Sequence, residues 1–336
     1  MAGQSAHPAH QLDRAAALGR RSVISNPNAA IDAVAGGLAA AGYIATRQIA
    51  TAVYLGGALQ KPLLVEGPAG VGKTELAKAA AVHLGVPLIR MQCYEGLDES
   101  KALYEWKYGK QLLYTQLLKD KLGSVFAEQD DLTSALRKLN GFDDVFFSEP
   151  FLEARPLLRA LRQEGGAVLL VDEVDKSDQE FEAFLLEILS DFAVTIPEIG
   201  TYKAQTPPFV VLTSNGTREF GDALKRRCIH LAIGFPDAAL EERIVETRVP
   251  GVAPRLRALL VAFVQQMRVL ELKKQPSVSE TIDWARTLLL LHVEELDVAI
   301  VRETLNVLLK FEDDVKAVAA QAGELLRKAR EGALRN

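Results

Sequence analysis

The chain has 336 residues, enough to bury one large core and one smaller one, so two domains are expected. Its 49% hydrophobic and 25% charged residues are the balance of a soluble globular protein, and a formal charge of -5 supplies no global field favouring nucleic acid. The longest apolar stretches, such as 285–293, are too short for the roughly 20 residues of a bilayer span, and the first 25 residues hold no apolar run of signal-peptide length. A cytoplasmic chain without a membrane span is therefore expected.

Residues 1–28, rich in Ala, Gln, His and Ser, read as a flexible tail. Two helices are expected between Ala29 and Ala58, and the short apolar run from Pro62 to Glu66 reads as a strand. Thereafter helix 72–84, strand 87–93, a polar and aromatic-rich region at about 94–150, strand 167–171 and helix 178–190 follow in turn. Strand 209–214, helix 221–227 and a last strand at 229–234 complete the block. Short, very apolar strands separated by helices predict a parallel sheet covered on both faces. Beyond Pro236 no buried strand is evident. Leu256, Leu260, Phe263, Val264 and Met267, then Leu296, Ile300, Leu305 and Leu308, recur at helical spacing, predicting a second, all-helical domain over 237–336.

Gly67-Pro68-Ala69-Gly70-Val71-Gly72-Lys73-Thr74 is a complete GxxxxGK[ST] loop, placed between a strand and a helix. Its glycines let successive N–H groups turn toward phosphate oxygens, and the following helix dipole adds to that attraction. Lys73 would reach the β and γ phosphates, and the Thr74 hydroxyl would ligate Mg²⁺. The run AVLLVDEVDKSD, 167–178, takes a buried strand into two adjacent acids. Asp172 is suited to hold Mg²⁺ through its waters and Glu173 to polarise an attacking water, whereas Asp175 and Asp178 read as helix-start or surface acids. Asn215, after strand 209–214, could bond both that water and a phosphate oxygen. Lys225, Arg226 and Arg227 close helix 221–227. They either complement the helix dipole in solvent or present an arginine to the nucleotide of a neighbouring subunit.

Cys93 and Cys228 are too far apart in sequence for a Cys-type metal site and are expected to sit reduced at strand ends, and the five histidines form no paired metal motif. Tyr94, Tyr104, Trp106, Tyr108 and Tyr114 are read as packing the 94–150 region on the core or touching a client. A stacking platform for single strands is the weaker reading, because the lysines are scattered rather than gathered in a basic stripe. Residues 116–145 read as an exposed, variable linker, and Trp284 and His292 as core of the second domain.

Together these motifs resemble AAA+ ATPases of the MoxR group from about residue 30 to 310, with Gly67–Thr74 as Walker A, Val168–Glu173 as Walker B and Asn215 at sensor 1. The resemblance implies an AAA+ α/β core with a five-stranded parallel sheet over 29–236, an insert at about 94–150, a hairpin at 192–205 and a helical lid over 237–336. It also implies ATP and Mg²⁺ as cofactors, a hexameric ring, and Arg227 as the residue acting in trans, with Arg226 in reserve. CYEGLD at 93–98, FEAFLLEILSDF at 181–192, TSNGTRE at 213–219 and ALKRRC at 223–228 are similar to CoxD-like proteins. That similarity implies a partner with a von Willebrand A domain and a metalloenzyme client, the molybdenum–copper carbon monoxide dehydrogenase. One position departs: where the group places its sensor 2 arginine, PSVSET at 276–281 puts Glu280, so either Glu280 faces elsewhere or another lid cation contributes, with Lys273, Lys274 and Arg286 as candidates. The expected function is ATP-driven remodelling of a partner protein. A slow nucleotide-dependent binding switch and a nucleic-acid-handling ATPase are the alternatives.

Overall fold

The computed structural model describes residues 26–127 and 146–333, the side chains of 118–127 excepted. The expected tail therefore lies mostly outside the described residues, although Asn26 already caps α1 (Pro27–Ala40) by accepting from the Asn28 N–H. Pro27 suits the first turn because its missing N–H would have no helical partner there. Helix α2 (Arg47–Leu59) leads into β1 (Leu63–Glu66), and α3 (Lys73–Leu84) into β2 (Leu88–Gln92). Strands β5 (Val168–Asp172), β8 (Phe209–Ser214) and β9 (Ile229–Ala232) complete a five-stranded sheet.

The sheet order is β2-β5-β8-β1-β9, and every pair is parallel. Alternation along the strands builds both faces. Leu64, Leu169, Val171, Val210 and Leu212 point into one core with α6 (Pro156–Arg162) and α7 (Gln179–Asp191). Leu63, Val65, Val168, Leu170 and Val211 point into the other, against α1, α2 and α3. A strand buried on both sides must be apolar throughout, which is why these runs looked continuous in the sequence.

The 94–150 region is more structured than its polarity suggested. Helix α4 (Glu99–Ala102) precedes β3 (Tyr104–Trp106), which pairs antiparallel with β4 (Leu152–Ala154). Trp106 is buried edge-on against Phe147, while Tyr94, Tyr108 and Tyr114 stay exposed. Helix α5 (Tyr108–Ala127) runs through the first part of the stretch read as a linker; most of its remainder lies outside the described residues. Strands β6 (Ala193–Ile196) and β7 (Gly200–Lys203) form an isolated hairpin within 192–205.

After α8 (Asp222–Arg227) and β9 the chain becomes helical: α9 (Ala238–Arg248), α10 (Pro254–Arg268), α11 (Val278–Leu290), α12 (Val298–Leu308) and α13 (Glu312–Ala333). They enclose a cluster of their own around Phe263 and Trp284, whose ring centroids lie 5.6 Å apart. Trp284 is core, its indole N–H donating to Thr304. His292 is not: it is exposed in the turn after α11 with φ at 52°, because the helix has ended and the chain reverses there. Cys93 and Cys228 flank β2 and β9, and burial above all pushes both thiols up to about 12.

Candidate active site

The sheet order brings the candidate residues together. Strands β5, β8 and β1 are consecutive neighbours, so their carboxyl ends place Asp172, Asn215 and the loop after Glu66 along one edge. Two glycines of that loop have a steric reason. A Cβ on Gly67, whose φ is +155°, would fall 2.0 Å from the Ile233 carbonyl, and one on Gly70, at +75°, would fall 2.1 Å from Ser277 Oγ. The loop is thus pressed between the end of β9 and the start of α11. Gly72 opens α3 in a left-handed conformation without a side-chain cap, which leaves early helix N–H groups for an anion.

Lys73 is buried, and its ammonium donates to the Gly67 carbonyl at 2.7 Å, the Pro68 carbonyl at 2.8 Å and Asn215 Oδ1 at 2.8 Å. Burial lowers its pKa, and the charges of Asp175, Asp172 and Glu173 oppose that shift. Thr74 Oγ1 lies 3.2 and 3.3 Å from the two oxygens of Asp172, and Thr213 Oγ1 donates to Oδ1 of the same carboxylate at 2.5 Å. The Thr213 hydroxyl also accepts from the Glu173 N–H at 2.9 Å. Glu173 itself sits at φ 56°, an uncommon conformation for a side chain of this size. Its carboxylate accepts from Gln92 at 2.7 Å and Asn215 at 3.2 Å, and pairs with Lys176 at 2.5 Å.

Several of these partners were not legible in the sequence. Gln92 and Arg90, whose guanidinium lies 2.6 Å from Asp172, reach the acids only because β2 pairs with β5 in the register Gln92 to Asp172. Asp175 corrects half of an expectation: it sits at the start of a short 3-10 turn, 174–176, but it is not a surface acid. It is buried, and its Oδ2 accepts from the Asn215 N–H at 3.2 Å, the Thr217 N–H at 3.1 Å and the Thr217 hydroxyl at 2.6 Å. Burial raises its pKa, but these bonds outweigh that and hold the carboxyl below its ordinary value. Asp175 thereby fixes the turn that carries Asn215. Asp178 does cap α7, accepting from the Phe181 N–H.

A cavity of about 540 Å³ opens beside the loop, bordered by Tyr43, Gly70, Gly72, Phe235, Ser279 and Arg286 among others. Helix α11 closes on the loop directly, with the Ser279 N–H donating to the Gly70 carbonyl at 3.2 Å. Glu280 turns back onto its own helix start, accepting from the N–H and hydroxyl of Ser277. Burial would raise its pKa, but those bonds and Lys274 bring it below the ordinary carboxylate range. All three candidate lid cations are paired, Lys273 with Asp313, Lys274 with Glu280 and Arg286 with Asp283 at 3.2 Å; of the three, Arg286 borders the cavity. Arg226 and Arg227 lie away from this edge. Arg226 is 82% exposed, while Arg227 bends back to Ser190 Oγ at 3.2 Å and the Ala223 carbonyl at 3.3 Å.

Residues 62–228 match the profile of the AAA domain, dynein-related subfamily. The chain carries an AAA+ ATPase domain. Similarity extends to the denitrification regulatory protein NirQ of Pseudomonas aeruginosa, 27% identical over 66% of this chain and 72% of that one. It extends also to an uncharacterized protein of Staphylococcus haemolyticus, 23% identical over 76% of this chain and 86% of the relative. Among solved structures, the Thermotoga maritima RuvB Holliday junction branch migration motor superposes with a TM-score of 0.39 at 14% identity, covering 88% of this chain and 72% of that one.

An AAA+ fold implies a nucleotide and Mg²⁺, and the donors at this edge fit both. Thr74 and Asp172 supply hard oxygens, the type Mg²⁺ takes together with phosphate rather than from an all-protein cage. Among the described residues no cluster of three or more His, Cys, Asp or Glu side chains is disposed to hold a metal alone, and no helix is long and apolar enough to cross a membrane.

Proposed function

We propose that this ATPase couples Mg·ATP hydrolysis to remodelling of a partner protein, working as a cytoplasmic ring of six subunits. The observation that carries the reading is one network at a single sheet edge, in which Thr213 joins Lys73, Asn215 and Glu173 to Asp172 and Thr74. Lys73 exchanges its loop carbonyls for phosphate oxygens, while Gly67, Pro68, Ala69, Gly70, Val71 and Gly72 wrap the phosphates with backbone N–H groups. Thr74 and Asp172 are the residues that would hold Mg²⁺, whose charge lowers the cost of charge build-up on the phosphates. Glu173 takes the proton of the attacking water as its oxygen bonds to the γ phosphorus and ADP leaves, and Asn215 orients that water. Arg286 is the lid cation that approaches the nucleotide in place of the residue at Glu280. Arg227, with Arg226 beside it, serves the neighbouring subunit's site.

Residues 29–236 act as the motor core and 237–336 as the lid, and the hairpin at 192–205 and the 94–150 insert face the client. A metalloenzyme client, such as a molybdenum–copper carbon monoxide dehydrogenase, and a von Willebrand A domain partner follow from the CoxD-like wording; the similarity to a denitrification regulatory protein supports a partner-directed role. One observation favours a second reading, a slow switch that docks a partner while ATP is bound: three donors hold Glu173 and must rearrange before it can act as a base.

The test is ATP binding and turnover by the purified chain. Lys73→Ala should weaken nucleotide binding about a hundredfold, the worth of about 3 kcal/mol of charge-assisted bonding. Glu173→Gln should keep binding but lose about 10²–10⁴ in turnover. Wild-type behaviour of both variants would remove the assignment. Partner-stimulated turnover separates motor from switch, with the client captured from the native cell on the Glu173→Gln protein in ATP.

A further inference from the structure

Asp172 is held by more than the residues the hydrolytic reading needs. A carboxylate has about four acceptor sites. Thr213 fills one on Oδ1, and Thr74 shares its hydroxyl between both oxygens. Oδ2 takes its one ion pair from Arg90, at 2.6 Å. The same Arg90 nitrogen lies 2.8 Å from Gln92 Oε1, and Gln92 in turn holds Glu173. Thr74 and Asp172, the residues fitted to Mg²⁺, are therefore already charge-balanced by a side chain from the edge strand β2.

We propose that Arg90 is a tethered stand-in for the metal: its guanidinium neutralises Asp172 before Mg·ATP arrives and must give up Oδ2 as Mg²⁺ is loaded. The exposures support exchange rather than permanent pairing. The Asp172 side chain is 6% exposed and held in place by Thr213, while that of Arg90 is 52% exposed and free to swing toward solvent. A buried carboxylate with no cation would be costly, so a placeholder keeps the acid in position until the ion replaces it. Because Arg90 also donates to Gln92 Oε1, its departure removes an anchor of Gln92, one of the three donors on Glu173, linking metal loading to a looser hold on the base.

The inference rests on Asp172 facing Mg²⁺, and the experiment separates the two ideas. With the full chain and a fluorescent, non-hydrolysable ATP analogue, nucleotide binding is titrated with Mg²⁺ and read by anisotropy, with no turnover involved. Arg90→Gln removes the competitor without disturbing a packed core, and should lower the half-saturating Mg²⁺ about two- to fivefold, the worth of a half-exposed ion pair. Arg90→Lys, still cationic, should lie between. Binding measured in chelator should be the same for all three proteins. An unchanged or raised Mg²⁺ midpoint in Arg90→Gln, with Asp172→Asn abolishing the Mg²⁺ dependence, overturns the stand-in alone. Mg²⁺ dependence that survives Asp172→Asn overturns the metal reading, and the stand-in with it.

Discussion

The network of opposite charges at the sheet edge and the one inside the helical bundle are built differently. In the bundle, Arg268 grips Glu241 through two nitrogens at 2.6 and 2.7 Å, donates to the Pro276 carbonyl, and stacks over Phe235 at 4.7 Å. Thr281 and Gln265 complete the shell of Glu241, and Gln265 also bonds the Pro236 carbonyl. The side chains of Arg268 and Glu241 are 6% and 0% exposed. At the sheet edge the buried acid Asp172 faces a half-exposed Arg90, and Glu173 faces an equally open Lys176. A sealed pair is a clamp, here fastening the 235–236 connection to the lid. An open one can trade partners, which a site that takes up and releases a charged ligand must do.

The largest effect is expected where the site borrows from outside the subunit. Arg227→Ala should reduce turnover about 10³–10⁵-fold while sparing nucleotide affinity, if Arg227 serves a neighbour. Arg227 is bent onto its own subunit and Arg226 is 82% exposed, with Asp222 at 4.0 Å, so Arg226→Ala is the paired measurement: the larger loss identifies the acting arginine. Mixing the inactive arginine variant with Glu173→Gln should restore activity through interfaces that combine the intact halves. No recovery in demonstrated co-assemblies would place the arginine elsewhere.

The clamp should fail in a way the open network does not. Glu241→Ala strands Arg268 in the bundle core and should cost about 3–5 kcal/mol of stability, visible as a lowered Tm. Replacing both partners, Glu241→Leu with Arg268→Met, should recover most of that, because two apolar side chains leave no unpaired charge. A double variant as unstable as the single one would mean the pair is itself a net stabiliser. Neither change touches the sheet edge, so nucleotide binding below Tm should persist.

How much of this could be read beforehand follows from distance along the chain. The phosphate loop, the Asp172-Glu173 pair and the strand before Asn215 are local patterns, and each was legible because a few adjacent residues carry it. Arg90, Gln92 and Thr213 act across strands, and only the order β2-β5-β8 decides that they meet Asp172 and Glu173. The burial of Asp175 is not legible because an acid three residues past a strand end ordinarily faces water; a three-residue 3-10 turn, 174–176, tucks it inward instead. Asp175→Asn sharpens this point. The residue's lowered pKa means that its carboxylate stabilises the folded chain above the unfolded value near 4, and that this contribution fades as pH falls through the native value. The variant should be less stable than the parent by about 1–3 kcal/mol at neutral pH, with the difference in Tm shrinking below about pH 4. A constant difference at all pH values would exclude the charge as its source.

The smallest effect concerns Glu280, where the chain departs from its resembled group. Its carboxylate closes the start of α11 by bonding Ser277, one residue from the Val278–Ser279 segment that meets the phosphate loop at Gly70. Glu280→Arg restores the cation that the group carries, so a reading by position alone expects faster turnover. The structure argues otherwise. The substitution removes the reciprocal bond at the helix start and places a cation at the positive end of α11, together worth about 0.5–2 kcal/mol of stability. It also frees Lys274 from its partner. Turnover should therefore stay level or fall modestly with a slightly lower Tm, whereas Arg286→Ala, at the cavity wall, should weaken nucleotide binding without lowering Tm. If Glu280→Arg instead accelerates hydrolysis and Arg286→Ala binds nucleotide like the parent, the lid cation belongs at position 280 and the contact through Arg286 is incidental.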